Sequence, residues 1–194
     1  VMTLMLSPEA VAAHKDLKIV YTPIHGSGVE IVPEFLAKLG FENVYHVPEQ
    51  DVIDGNFPTV KSPNPEEPSA LAMAVAVADK EGADLVMATD PDADRIGIAV
   101  RDNEGKMVLL NGNQTGSILT YYILRRWSEL GKLDGKQYIV KTIVTTELMR
   151  AIAEKYGVKV YNVLTGFKWI ADIIKKNEGV NTFVCGGEES YGSN

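Results

Sequence analysis

Short β-rich runs alternate with helically spaced segments along almost all of the 194 residues, and this alternation restricts the chain to a layered α/β architecture. Residues 17–21 (LKIVY) are a first apolar strand, followed by the turn Thr22-Pro23-Ile24-His25-Gly26-Ser27-Gly28. Residues 29–39 carry apolar side chains at helical spacing, and Gly40 closes that helix. Residues 43–47 (NVYHV) are a second strand. The stretch 57–68 is proline-rich and therefore expected to be irregular, because proline removes donors and restricts its neighbour. A helix over 66–81 ends at Gly82, and the strand 84–88 (DLVMA) runs into Thr89-Asp90-Pro91-Asp92-Ala93-Asp94-Arg95. Strands at 96–100 and 107–110 are joined through the hairpin-type turn Asn103-Glu104-Gly105.

The pattern restarts after Asn111-Gly112-Asn113. A helix over 115–130 precedes a strand at 137–144, and Thr145 or Thr146 caps a helix that reaches Tyr156. A strand at 158–163, a short helix to about Lys176 and a strand at 182–185 follow. The expectation is two consecutive small α/β domains, each a mixed sheet flanked by helices, over 15–110 and 111–194. Residues 1–14 read as a linker or the tail of a preceding domain. One doubly wound domain is the alternative.

The net charge of -7 argues against nucleic acid as a partner, since a phosphate-backbone binder needs a basic face. An anionic substrate must then be held by a few placed cations or by a metal. The single cysteine, Cys185, excludes an internal disulfide and fits a reducing cytoplasm. The longest apolar run, 70–78, is far short of the ~20 residues of a membrane span, so no membrane partner is expected. Residues 1–5 have no basic region before them, which argues against a signal peptide. The missing initiator Met and the stop at Gly192-Ser193-Asn194 read as ends cut from something longer.

Asp90, Asp92 and Asp94 are the most informative residues for chemistry. Three like charges at alternate positions repel one another, and a cation neutralises them. Magnesium takes hard oxygen ligands, and carboxylates at i, i+2 and i+4 cover one side of it. The triplet ends an apolar strand, where open α/β sheets form ligand crevices, and Arg95 stands ready to steer a phosphate toward the metal. A calcium EF-hand loop needs glycine at its sixth position and glutamate at its twelfth, whereas Arg95 and Arg101 stand there. An acidic surface turn and a magnesium-dependent phosphatase with Asp90 as nucleophile both remain open on these residues alone.

Asp90-Pro91-Asp92-Ala93-Asp94-Arg95 resembles the metal loop of the α-D-phosphohexomutase superfamily, the phosphoglucomutases and phosphomannomutases, with Pro91 and Ala93 in place of that loop's two glycines. The residues 22–28 resemble the Gly-rich segment opening the family's second domain, and Pro63-Asn64-Pro65-Glu66 is similar to the loop before that domain's second helix. Thr165-Gly166-Phe167-Lys168 and Gly187-Glu188-Glu189-Ser190 resemble two loops of the third domain, the latter the sugar-reading one. The order matches over nearly the whole chain.

The resemblance implies an isomerase that interconverts hexose 1- and 6-phosphates through a bisphosphorylated sugar and an enzyme phosphoserine. It makes Asp90, Asp92 and Asp94 the ligands of Mg2+ and Arg95 a phosphate-side contact. Glu188 and Ser190 would bind sugar hydroxyls, with Lys141, Lys168, Thr165 and Gly166 beside the substrate. The implied partners are a glucose, mannose or pentose phosphate and the family's first and fourth domains. None of the serines at 7, 27, 62, 69, 117, 128, 190 or 193 stands in the phosphoserine's context, so no catalytic residue is expected in this chain, which alone should be inactive. A non-catalytic sugar-phosphate-binding module is the remaining alternative. His25 and Ser27 do not form a Gly-x-Ser-x-Gly elbow and read as shaping their turn. His14, His46, Cys185, Trp127 and Trp169 read as structural.

Overall fold

The computed structural model describes residues 2–192, apart from the side chain of Met2; Val1, Ser193 and Asn194 lie outside the described residues. The chain divides into two compact units between Leu110 and Asn111, each with its own sheet. Among the described residues no helix is long and apolar enough to cross a membrane.

The first unit holds strands β1 (Lys18–Thr22), β2 (Asn43–His46), β3 (Leu85–Thr89), β4 (Ile96–Arg101) and β5 (Met107–Leu110), in the order β2-β1-β3-β4-β5. β1 is parallel to β2 and to β3, while β4 and β5 return antiparallel through the five residues 102–106. Gly105 takes the left-handed conformation there (φ 81°). The helices are α1 (Pro8–Ala13), α2 (Gly28–Leu39), α3 (Pro48–Asp51) and α4 (Pro68–Glu81). α4 starts two residues later than the sequence pattern suggests, because Pro68 fits the first helical position, where no N–H is needed. Its alanines Ala70, Ala74 and Ala78 are wholly buried beside Val20, Val86 and Ala88, and such small side chains let the helix backbone lie close on the sheet. α1 groups with this first unit.

The second unit contains β6 (Gln137–Thr142), β7 (Lys159–Val163) and β8 (Thr182–Gly187), with α5 (Gly112–Glu129), α6 (Glu147–Lys155) and α7 (Phe167–Asn177). Its sheet, β7-β6-β8, is parallel throughout rather than mixed, because a helical crossover joins each strand to the next. Every residue of the central strand β6 is buried. Alternation sends Ile139 to a cluster with Leu124 of α5, Met149 and Ala153 of α6 and Cys185. Tyr138 and Val140 point the other way, to Ile170 of α7. Burial pushes the Cys185 thiol up to about 11, so it stays a neutral core side chain.

Candidate functional site

In the first unit the parallel pairing of β1 with β3 brings their carboxyl ends side by side, with Thr22 level with Ala88. The turn after β1 and the aspartate loop after β3 therefore leave the same edge. Beneath them the Tyr21 and Thr89 hydroxyls share a buried hydrogen bond of 2.9 Å. Asp90 is 8% exposed, and its Oδ1 accepts from the Arg95 backbone N–H at 2.9 Å. The loop turns back through Ala93, whose N–H donates to the Asp90 carbonyl and whose φ of 59° is one glycine adopts without strain. One carboxylate oxygen from each of Asp90, Asp92 and Asp94 then lies within 4.8 Å of the others. Ligands on opposite sides of a magnesium ion at its usual bond length stand about 4.2 Å apart, so small side-chain rotations suit this donor set to the ion.

The electrostatics agree. Burial, opposed by the hydrogen bond from Arg95 and reinforced by Asp92 and Asp94, pushes the Asp90 carboxyl up to about 6. In the metal-free fold Asp90 holds a proton between its ordinary value of 3.8 and about 6, where the unfolded chain does not. The sign follows from linkage: this group contributes stability at low pH that is lost as pH rises through that window. Urea unfolding in chelator should show this contribution in the wild type, and Asp90→Asn should flatten it. An unchanged pH slope in Asp90→Asn would contradict the assignment.

Arg95 lies across the same edge. Its guanidinium donates to Glu66 Oε1 at 3.3 Å and approaches Asp94 at 3.8 Å. Ser62, Pro63 and Asn64 share one depression with Asp90, Pro91 and Arg95. The Asn64 side chain accepts from Glu66 N–H at 3.1 Å, and a Cβ on Gly97 would meet the Pro65 carbonyl oxygen at 2.6 Å. The Pro63–Glu66 motif thus borders the aspartate loop, and Glu66, which spacing did not single out, anchors Arg95.

In the second unit the loops after β6, β7 and β8 all leave the carboxyl edge of the parallel sheet. Glu188 accepts a hydrogen bond from the Gly166 backbone N–H, and its own N–H donates to the Gly192 carbonyl at 2.9 Å. Gly166 has a φ of 118°, which presents that N–H, and Thr165 stands beside it. Ser190 is partly buried on the same loop as Glu188. Lys168 is exposed, its Nζ 5.1 Å from the Trp169 ring centroid. The two motif loops are thus brought together at Glu188 and Gly166.

Lys141 sits differently from a surface residue at a strand end. It is wholly buried, and its Nζ donates to Thr145 O at 2.8 Å and Thr142 O at 3.3 Å and pairs with Glu147 at 2.7 Å. Alternation explains this: Lys141 faces the side of β6 on which Ile139 meets α6, and Glu147 opens α6. Beside it the Thr142 and Thr145 hydroxyls bond each other at 2.7 Å and lie 3.4 and 3.2 Å from Glu189 Oε2. Glu189 went unassigned in the sequence because a carboxylate between two candidate ligands carries no signal of its own inward turn.

Comparison with known proteins comes out consistently. Residues 5–105 match the family model described as phosphoglucomutase/phosphomannomutase, alpha/beta/alpha domain II, and residues 111–193 match that of domain III. A phosphoglucomutase from Staphylococcus aureus (strain N315) is 42% identical over 177 residues, covering 91% of this chain and 31% of the relative. The chain therefore spans about a third of the length of such relatives. A Thermus thermophilus structure named as a phosphomannomutase superposes with a TM-score of 0.72 at 27% identity, over 96% of this chain and 41% of that one. An N-acetylphosphoglucosamine mutase from Aspergillus fumigatus, solved with GlcNAc-6P and magnesium, shares the fold at a TM-score of 0.61 and 18% identity, over 97% of this chain and 39% of that one.

Proposed function

Because this chain belongs to the phosphoglucomutase/phosphomannomutase family, with that family's second and third domains in order, we infer that it supplies the metal-holding and sugar-reading parts of a phosphohexose mutase. The observation that carries the reading is the convergence of Asp90, Asp92 and Asp94 within 4.8 Å at the carboxyl edge of a sheet, on a loop of the family's form. Magnesium, when bound by these three carboxylates, supplies positive charge that offsets the charge of a transferring phosphoryl group. The magnesium in the A. fumigatus complex is consistent with this metal.

This chain's own residues hold and orient. The Arg95 backbone N–H fixes one oxygen of Asp90 at 2.9 Å, which limits the directions its carboxylate can present. The Arg95 guanidinium, held by Glu66 on one side, offers its remaining donors to a phosphate oxygen. In the second unit the Glu188 carboxylate accepts from two vicinal sugar hydroxyls, and Ser190 donates or accepts. Lys168 and the Thr165-Gly166 loop lie beside them. Lys141 supports the edge from inside, since its donors are engaged by Thr142, Thr145 and Glu147. The phosphoryl donor and the grip on the distal phosphate are assigned to the first and fourth domains, and the substrate is a hexose or pentose phosphate.

The test is a mutase assay on a protein joining these units to the family's first and fourth domains. Glu188→Gln keeps the side chain's shape and removes its charge. It should lower kcat/KM roughly 10- to 150-fold, equivalent to about 1.5–3 kcal/mol of transition-state stabilisation, the range for a charged hydrogen bond. Unchanged kinetics would move the sugar contacts elsewhere. Magnesium-dependent hydrolysis of a hexose phosphate by the 194-residue chain alone would instead favour Asp90 as a phosphatase nucleophile.

A further inference from the structure

The turn after β1 has an unusual conformation for its sequence. Ile24 and His25 take φ values of 46° and 63°, a left-handed region that non-glycine residues rarely enter and that is least suited to a β-branched side chain. Such backbone persists where the surroundings over-determine it. Here they do. His25 is 2% exposed, its Nδ1 lies 2.8 Å from the Val52 carbonyl and its Nε2 lies 2.8 Å from the Thr59 hydroxyl. A carbonyl only accepts, so Nδ1 donates, and in the neutral ring Nε2 accepts from Thr59. The His25 backbone N–H donates to the Gln50 carbonyl at 2.8 Å. Gln50, wholly buried, accepts from the Thr22 hydroxyl at 2.7 Å and donates to Thr59 at 3.2 Å, which closes the ring of contacts.

The two residues after this locked pair meet the aspartate loop. Gly26 lies so close to Pro91 that a Cβ would stand 2.3 Å from the Pro91 Cα and 2.6 Å from its carbonyl oxygen. That same oxygen accepts from the Ser27 backbone N–H at 2.9 Å and from the Ser27 hydroxyl at 3.0 Å. Pro91 is the residue between Asp90 and Asp92. The position of its peptide groups therefore sets where both carboxylates start.

We propose that the buried His25–Gln50–Thr59 network is a positioning device for the metal loop, acting through Gly26 and Ser27 on the Pro91 carbonyl. This rests on the reading of Asp90, Asp92 and Asp94 as metal ligands. Neither His25 nor Thr59 touches the ion in this scheme. They fix the turn against which the loop is seated, so that the carboxylates are already convergent when the ion arrives. The ordinary cost of losing such an outer partner is about 10–100-fold in metal affinity.

The experiment uses the 194-residue chain and manganese as the probe, with bound and free ion distinguished by electron paramagnetic resonance and magnesium affinity measured by competition. Thr59→Val keeps side-chain volume and removes the hydroxyl that His25 and Gln50 share, so affinity should fall about tenfold or more. Thr59→Ser restores the hydroxyl and should return affinity to within about twofold of wild type, a rescue expected only if the hydroxyl acts through the network. Gly26→Ala attacks the other end of the same chain of contacts and should also weaken binding. Combined with Thr59→Val it should add less than its separate effect, since both act on one element. Unfolding in chelator confirms that each variant is folded. If Thr59→Val and Gly26→Ala lower only thermal stability and bind manganese as wild type does, the positioning role is overturned while the metal site stands. If the wild type itself binds no manganese, the metal reading fails and the proposal falls with it.

Discussion

Asp92→Ala should abolish measurable magnesium binding by this chain while leaving it folded. The side chain is exposed, so its removal leaves no cavity in the core. What it removes is one of three carboxylates whose oxygens lie within 4.8 Å of each other. A hard cation draws its affinity from oxygen charge and number, and a site reduced to two carboxylates loses both. The loss should exceed the about 10–100-fold typical of an outer partner. A second readout runs the opposite way. In chelator the wild-type loop keeps three like charges together with no metal ion and only Arg95 near Asp94, so Asp92→Ala should melt at the same temperature or higher. With magnesium added, only the wild type should gain stability, because an ion that binds the folded state alone stabilises by mass action. Isothermal titration and a melting curve at two magnesium concentrations check both. Equal binding by variant and parent would remove the triplet from the site.

Gly112→Ala should damage the second unit, although helix propensity alone forecasts the reverse. Gly112 is the first residue of α5, next to an Asn111 cap whose side chain accepts from Gln114 N–H and whose N–H donates to Gln114. At a helix position alanine is ordinarily favoured over glycine by about 1 kcal/mol. Here a Cβ would stand 1.8 Å from the Glu189 carbonyl oxygen and 2.6 Å from its carbon. Both partners are backbone, so no side-chain rotation relieves the overlap. Either the start of α5 or the loop carrying Glu188 and Ser190 must move, at about 1–3 kcal/mol for overpacking. Displacing that loop by about 1 Å should cost on the order of 100-fold in turnover of the joined enzyme. Gly116→Ala, in the same helix, is the contrast. Its Cβ would meet only the Met149 sulfur at 3.4 Å, so it should be neutral or stabilising. Trp127 and Trp169 both belong to the second unit, so tryptophan fluorescence in urea reports on it directly. If Gly112→Ala and Gly116→Ala unfolded alike, the close contact of α5 with the Glu189 backbone would be wrong.

The strands and long helices were legible because their patterns are local. Residues 137–144 read as a strand from an apolar run, of which 137–142 form β6, and 66–81 read as a helix from alanine-rich spacing closed by Gly82, of which 68–81 form α4. α1 and α3 were not, since six and four residues are too few to show a helical period. The triplet at 90, 92 and 94 was visible because like charges at short spacing demand a reason. The resemblance alone placed Lys141 beside the substrate, and its position in the sequence gives no hint that the carbonyls of Thr142 and Thr145 accept its hydrogen bonds. The pairing of His25 with Thr59 joins residues 34 apart across an irregular proline-rich stretch, and nothing in one sequence announces such a contact. The tight approaches of Gly26 to Pro91 and Gly112 to Glu189 were hidden for the same reason.

The central claim is that one chain carries a magnesium loop in its first unit and a sugar-reading loop in its second. Backbone amide NMR on the isotope-labelled chain, titrated first with magnesium and then with glucose 1-phosphate, tests it most directly. Magnesium should shift the amides of Asp90, Asp92, Asp94 and Arg95, with Ser27 following through its bond to Pro91. The sugar phosphate should shift Gly166, Glu188 and Ser190. Magnesium shifts scattered over exposed carboxylates, or a sugar phosphate that leaves Gly166, Glu188 and Ser190 unmoved at saturation, would contradict it.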